Sequence, residues 1–334
     1  MKKFVYGNTP GMLKQEINED PANYAAQDAV FMGIPWEGGV TWSAYAGTEL
    51  LPKAIRNASA RYTGYLPELN DINVWDNLKV TDGGDLGCEP SDTIKTFEKI
   101  TDKAKELFAS GTVPIFLGGD HSITFPIMRG LGEVKKGKVG IIHMDAHFDN
   151  REIFGDDPYA RCCPLHRISE LESVKNTSIV HFGIRGARNA PQDGAYAKKI
   201  GAKVVTINDI RMGDMKDYMK LVKEAYDTAA DGTDAVYVTV CSDVLDIAYN
   251  PGGPLDGNGL TTFELFNALY YFACRGIAGF DVVEVYPPMD PNNTSSHIAV
   301  QMILYVLAGL VLLAGVGAIL WALRRGGSRT RSHP

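Results

Sequence analysis

The chain has 334 residues, 33 basic against 40 acidic side chains, a net charge of −7 and 45% apolar residues. That length buries a large core, and the mild acidity, with no basic stripe in the first 300 residues, excludes nucleic acid as a partner. Five cysteines (Cys88, Cys162, Cys163, Cys241, Cys274), odd in number and without CxxC spacing, exclude a disulfide framework and point to a reducing, cytoplasmic compartment.

In chain order, MKKFVYGNTPGM lacks the apolar core of a signal peptide, and the first ~28 residues read as a polar arm or partner contact. Ala29 to Pro35 is the first buried strand, followed by a long loop marked by Gly38, Gly39 and Gly47. LPKAIRNASARY predicts a helix with Leu51, Ala54, Ile55 and Ala58 on one face, and LKVTDGGD a second strand and turn. Ser91 is the expected cap of a helix carrying Ile94, Phe97, Ile100, Ala104 and Leu107 at helical spacing. Further strands are expected at 113–117, 139–143, 178–185, 202–207, 235–240 and in FDVVEVYPP, with helices between most of them, including Met215 to Ala229. This alternation predicts one three-layer α/β/α domain around a mostly parallel, roughly eight-stranded sheet.

Three of these strands end in chemistry. VGIIHMDAHFDN delivers Asp145, His147 and Asp149 at alternate positions, which on an extended chain face one way. VPIFLGGDHSITF ends in Asp120 and His121, and AVYVTVCSDVLD in Cys241, Asp243 and Asp246. Ligand-type residues at several strand ends describe a site at the carboxyl edge of a parallel sheet.

Taken together, GGDHS (118–122), DAHFD (145–149), SDVLDIAYNPG (242–252) and DVVEVYPPMDPNN (281–293) resemble the ureohydrolase superfamily of arginases, agmatinases and formimidoylglutamases. The similarity is greatest to agmatinase-like members and runs from about Val30 to about Leu307. The resemblance implies two Mn²⁺ ions, one held by His121, Asp145 and Asp149, the other by Asp145, His147 and Asp243, and mixed oxygen and nitrogen ligands suit that metal. Such a pair makes water nucleophilic near neutral pH. The implied reaction is hydrolysis of a C–N bond in a small linear guanidine or amidine, with urea or an equivalent amide and an amine as products. Asp149 is then catalytic as well as ligating, and Glu284 is the carboxylate that seats the substrate's planar cation. Asp246 is expected to support the ligand loop. Family members commonly form trimers or hexamers, so a homo-oligomer is implied.

Two departures stand out. Cys241 occupies the position of an aspartate that bridges both ions in the family; it is read as a soft ligand favouring another divalent metal, as a residue leaving one site weak, or as an inert buried thiol. Arg161 occupies the position of the family's proton-shuttling histidine, with His166 the substitute if its loop folds back. Arg151 and Arg161 beside the site favour a substrate with an anionic far end, a guanidino acid or formimidoylglutamate in place of agmatine. The same departures allow a degenerate relative that serves as a binding or regulatory protein.

The catalytic domain is expected to cover residues 1–308 and an extension 309–334. From Met302 to Leu323 no residue is charged, and Arg324, Arg325, Arg329 and Arg331 follow, so 302–323 is a candidate membrane span, although its arginine flank conflicts with a cytoplasmic enzyme. The alternatives are an apolar helix buried in an oligomer contact or a non-native extension.

Overall fold

The structure, a computed structural model, describes residues 9–38 and 46–326, with side chains described as far as Gly315. The start of MKKFVYGNTPGM, Gly39 of the glycine-marked loop, and Arg329 and Arg331 lie outside the described residues.

Eight strands form one sheet: β1 (Ala29–Gly33), β2 (Val80–Asp85), β3 (Val113–Leu117), β4 (Val139–Met144), β5 (Val174–Ile184), β6 (Lys203–Thr206), β7 (Ala235–Cys241) and β8 (Gly279–Val283). Their order across the sheet is β2-β1-β3-β8-β7-β4-β5-β6, and every neighbouring pair is parallel. The apolar runs are nearly continuous because both faces are covered. Phe31, Leu117, Ile142, Val238 and Phe280 pack with α1 (Leu51–Ser59), α7 (Met215–Ala230), α8 (Thr262–Arg275) and α9 (Thr294–Gly326). On the other face, Val30, Met32, Phe116, Ile141 and Tyr237 meet α2 (Thr93–Ala109), α3 (Thr124–Val134) and α4 (Pro164–Ser169). This is the expected three-layer α/β/α fold.

Local differences from the sequence reading have physical causes. The cap of α2 is Asp92, whose carboxylate accepts the Lys95 amide at 3.0 Å; Ser91 lies one residue too early, and Ile94 is half exposed. Helix α1 stops at Ser59, short of Tyr62. The N-terminal segment is no loose arm in its described part. Met12, Leu13 and Tyr24 are buried, Asp82 accepts the Met12 amide at 2.7 Å, and Ser59 accepts the Leu13 amide at 2.8 Å. Asp82 is itself gripped by fully buried Arg56 through two bonds of 2.7 and 2.8 Å, and Arg56 also pairs with Asp85.

The first part of the candidate span 302–323 is packed against the domain. Met302 to Leu310 are largely buried in the sheet-facing core, and a Cβ on Gly309 would stand 2.5 Å from the Ala273 Cβ of α8. A span over 302–323 would take these residues out of that packing. Pro291–Gly315 is long and apolar enough to cross a membrane, with mean hydropathy 2.3, yet 61% of its most apolar 18-residue stretch is buried in the protein. Exposure begins at Leu312 and Leu313.

Candidate active site

The four central strands β3, β8, β7 and β4 end side by side, and the segments at the ends of β8, β7 and β4 line one cavity of about 260 Å³. After β3, two glycines let the chain pass under Trp36: a Cβ on Gly119 would lie 1.9 Å from the Trp36 carbonyl oxygen. That close approach sets Asp120, whose amide bonds the same carbonyl at 3.0 Å, and brings His121 beneath the sheet edge.

His121 Nδ1 stands 3.0 Å from both Asp145 Oδ2 and Asp149 Oδ2. His143 Nε2 reaches the same Asp145 oxygen at 3.1 Å. On the other side, His147 Nδ1 lies 3.4 Å from Asp145 Oδ1 and 3.0 Å from Asp243 Oδ2. Two donor groups result, His121, His143, Asp145 and Asp149, and Asp145, His147 and Asp243, with Asp145 common to both. The alternate-position argument for Asp145, His147 and Asp149 thus ends in convergence.

The donors fit divalent ions. His121 Nδ1 and Asp243 Oδ2 are buried and make no hydrogen bond, although a carboxylate oxygen stands 3.0 Å from the first and an imidazole nitrogen 3.0 Å from the second; one such orphaned atom belongs to each donor group. Charge tells the same story. Burial and the neighbouring Asp145 push the Asp149 carboxyl up to about 7. Burial disfavours a charged His121, but Asp145 and Asp149 outweigh it and hold the imidazole protonated well above its ordinary range. Three carboxylates packed this closely call for added positive charge.

The surroundings fix the donors. His121 Nε2 meets Thr239 Oγ1 at 3.0 Å, and Thr239 donates to buried Asp281, which also accepts from Tyr237 and Thr124. His143 Nδ1 contacts His181 Nδ1 at 3.0 Å, and burial keeps both rings below the usual imidazole range, hence neutral. Buried Arg185 donates to the carbonyls of Asp243, Val244, Leu245, Asp256 and Gly257, clamping the loop that carries Asp243. Asp246 turns away from the donors and accepts the Ala248 and Gly259 amides within that loop. Asp149 and Glu284 both have left-handed backbones, φ 45° and 63°, a strain of roughly 1–3 kcal/mol each that the surrounding packing sustains.

Cys241 lines the cavity but belongs to neither donor group; it packs with the apolar face that includes Val283. Burial, then Asp145 and Asp243, push its thiol well above the usual range, so it stays protonated. His166 is not brought to the cavity. Its Nδ1 lies 3.0 Å from the Asn150 carbonyl and its ring stacks on Tyr196, because α4 starts at Pro164 and carries it away. Arg161 lines the cavity, but its guanidinium is engaged within the protein. Its side chain, 5% exposed, turns inward, where Nη1 meets Glu284 Oε2 at 3.0 Å and Nη2 meets Glu37 Oε1 at 3.2 Å. A guanidinium buried this deeply requires carboxylate partners. Arg151 does line the cavity, with Nε 3.5 Å from Asp193, and Arg188, unforeseen in the sequence, joins it with Nη1 3.1 Å from Asp256. His143 was also missed, although it extends the alternation of Asp145, His147 and Asp149 by one step upstream.

A parallel α/β sheet whose carboxyl edge gathers six His and Asp residues in two groups that share Asp145 is a fold with a candidate site for metal ions. More narrowly, the chain belongs to the Arginase family, whose model matches residues 27–309. It is 31% identical to guanidinopropionase of Pseudomonas aeruginosa, over 90% of this chain and 92% of that one. It is 32% identical to mitochondrial agmatinase of Gallus gallus, over 85% and 81%. The crystal structure of formimidoylglutamase from Bacillus subtilis superposes with a TM-score of 0.80 at 29% identity, covering 93% of this chain and 95% of that one.

Proposed function

We propose that this protein hydrolyses a C–N bond of a small linear guanidine or amidine whose far end is anionic, a guanidino acid or a formimino acid. The observation that carries the reading is the pair of donor groups sharing Asp145 on a cavity whose lining also includes Arg151 and Arg188, side chains 29% and 35% exposed. Guanidinopropionase and formimidoylglutamase among the relatives support it, since both names denote acids.

His121, His143, Asp145 and Asp149 would hold one divalent ion, Mn²⁺ by the family resemblance, and Asp145, His147 and Asp243 a second. When bound, such ions supply Lewis-acid polarisation that makes water nucleophilic near neutral pH. The chain's own residues do the rest. Glu284 offers a buried carboxylate at the cavity wall, fixed by the His121 amide at 2.8 Å and the Tyr286 hydroxyl at 2.8 Å, against which a planar cation can be oriented. Arg151 and Arg188 offer charge to a substrate carboxylate.

Urea release from 3-guanidinopropionate and 4-guanidinobutyrate, formamide release from formiminoglutamate and urea release from agmatine, each with added Mn²⁺, test this. Preferential turnover of an acid is expected; preference for agmatine sinks the anionic-end reading. A second reading, a binding protein without turnover, is favoured by Arg161 seated on Glu284, and metal uptake without any product would select it.

A further inference from the structure

Glu284 is the one carboxylate lining this cavity outside the two donor groups that is held by a buried guanidinium of the chain itself. Both its oxygens are engaged. Oε1 accepts the His121 amide at 2.8 Å, while Oε2 accepts the Tyr286 hydroxyl at 2.8 Å and Arg161 Nη1 at 3.0 Å. A carboxylate has about four lone-pair sites, so a planar cation seeking two parallel bonds here meets three already filled.

We propose that Arg161 is an internal occupant of the cation seat at Glu284, so that a substrate guanidinium or amidinium gains this carboxylate only by displacing it, and Arg161 thereby sets which cations the site accepts. The inference rests on the reading of the cavity as an amidine site.

The geometry supplies both the seat and a place to withdraw to. Arg161 Nη2 already lies 3.2 Å from Glu37 Oε1 and 3.9 Å from Asp120 Oδ2, so a guanidinium that leaves Glu284 keeps carboxylate partners. Glu37 is anchored independently, accepting the amides of Ala46, Gly47 and Thr48 at 2.8, 2.6 and 3.0 Å. The backbone under Arg161 is also pinned: the Cys162 carbonyl accepts the Arg151 amide at 3.1 Å, and the Ala160 carbonyl accepts the Cys163 amide at 2.8 Å. Exchange between Glu284 and Glu37 is a matter of the Arg161 side-chain torsions on this pinned backbone. An incoming cation competes with a group tethered at high effective concentration, which favours ligands that bring further contacts, such as an anionic end reaching Arg151 or Arg188.

The test is calorimetric binding of methylguanidinium to the full-length, Mn²⁺-supplemented protein, comparing wild type, Arg161→Gln, Arg161→Lys and the double variant Arg161→Gln with Glu284→Gln. Tenfold or greater tightening in R161Q is expected, with smaller tightening in R161K and loss of the gain in the double variant. Unchanged or weaker binding in a folded R161Q, or tightening that survives Glu284→Gln, overturns the proposal. Should R161Q fail to fold by circular dichroism, R161K decides: tightening supports the proposal and an unchanged Kd overturns it. Binding and turnover separate the two readings. Tightened binding without hydrolysis of any substrate keeps this inference and removes the hydrolase reading, while hydrolysis with unaltered binding does the reverse.

Discussion

Asp145 Oδ2 lies 3.0 Å from His121 Nδ1, yet the nitrogen makes no hydrogen bond, and the other oxygen of the same carboxylate lies 3.4 Å from His147 Nδ1. One side chain thus serves two donor groups. Asp145→Asn should abolish tight binding at both, whereas Asp243→Asn, which alters only one, should leave about one ion per chain. Elemental analysis after dialysis reads the stoichiometry; two ions retained by D145N would refute the shared role.

The Asp149 carboxyl, pushed up to about 7 by burial and Asp145, makes metal binding depend on pH. Because its folded-state pKa is raised, the ion-free protein is favoured below the ordinary carboxylate range and loses that contribution as pH rises through about 7. A cation then replaces a departing proton. The rise in Tm on adding Mn²⁺ should be larger at pH 8 than at pH 6, measured by differential scanning fluorimetry; an equal or reversed shift counts against Asp149 as a ligand.

Arg56 is completely buried between Asp82 and Asp85. Arg56→Ala leaves two carboxylates without their cation and should cost about 3–5 kcal/mol. Urea denaturation would show it as a lower midpoint with an unchanged slope. A loss below about 1 kcal/mol would mean that water replaces the guanidinium.

Arg185 holds the Asp243 loop by five carbonyls and no carboxylate within hydrogen-bond reach among the described residues, so its effect is positional. Arg185→Lys offers a single ammonium to the same oxygens and should weaken metal retention about 10-fold, the scale of a lost supporting contact, while the fold persists. Metal titration together with a thermal melt separates that outcome from simple unfolding.

A chain ending at Gly315 keeps Met302 to Leu310 in place and should melt within about 1 kcal/mol of the full chain, whereas one ending at Gln301 loses that packing and should not fold. Expression, solubility without detergent and a melting curve decide it. Dependence of the first truncation on detergent would contradict the packing described for α9.

The legible parts of the sequence were those that depend on period and order. Alternating strands and helices gave the layers; Asp145, His147 and Asp149 do come together in two groups, but they lie past the end of β4, where left-handed Asp149 breaks the strand period, so the turn after the strand sets their meeting. His143 carried the same signal but sat inside an apolar run, where a buried histidine reads as core. Arg161 was read as a neighbour of the site from the family resemblance and His166 from its nearness in sequence; that Arg161 turns inward is decided by Glu284 and Glu37, over 100 residues away in each direction. In the tail, apolar composition describes a core helix and a membrane span equally well, and the packing of Gly309 on α8 is a contact that composition does not reveal.

The last strand, β8, lies between β3 and β7 at the middle of the sheet. During synthesis the ribosome releases it after all seven others, so the two halves of the sheet cannot close until it slides between them. His121 comes from one half, Asp145 and Asp243 from the other. The donor group that includes His121 is therefore complete only once β8 has joined the halves, whereas Asp145, His147 and Asp243, carried by the neighbouring strands β4 and β7, meet within one half, so topology lets the two groups form at different moments of synthesis.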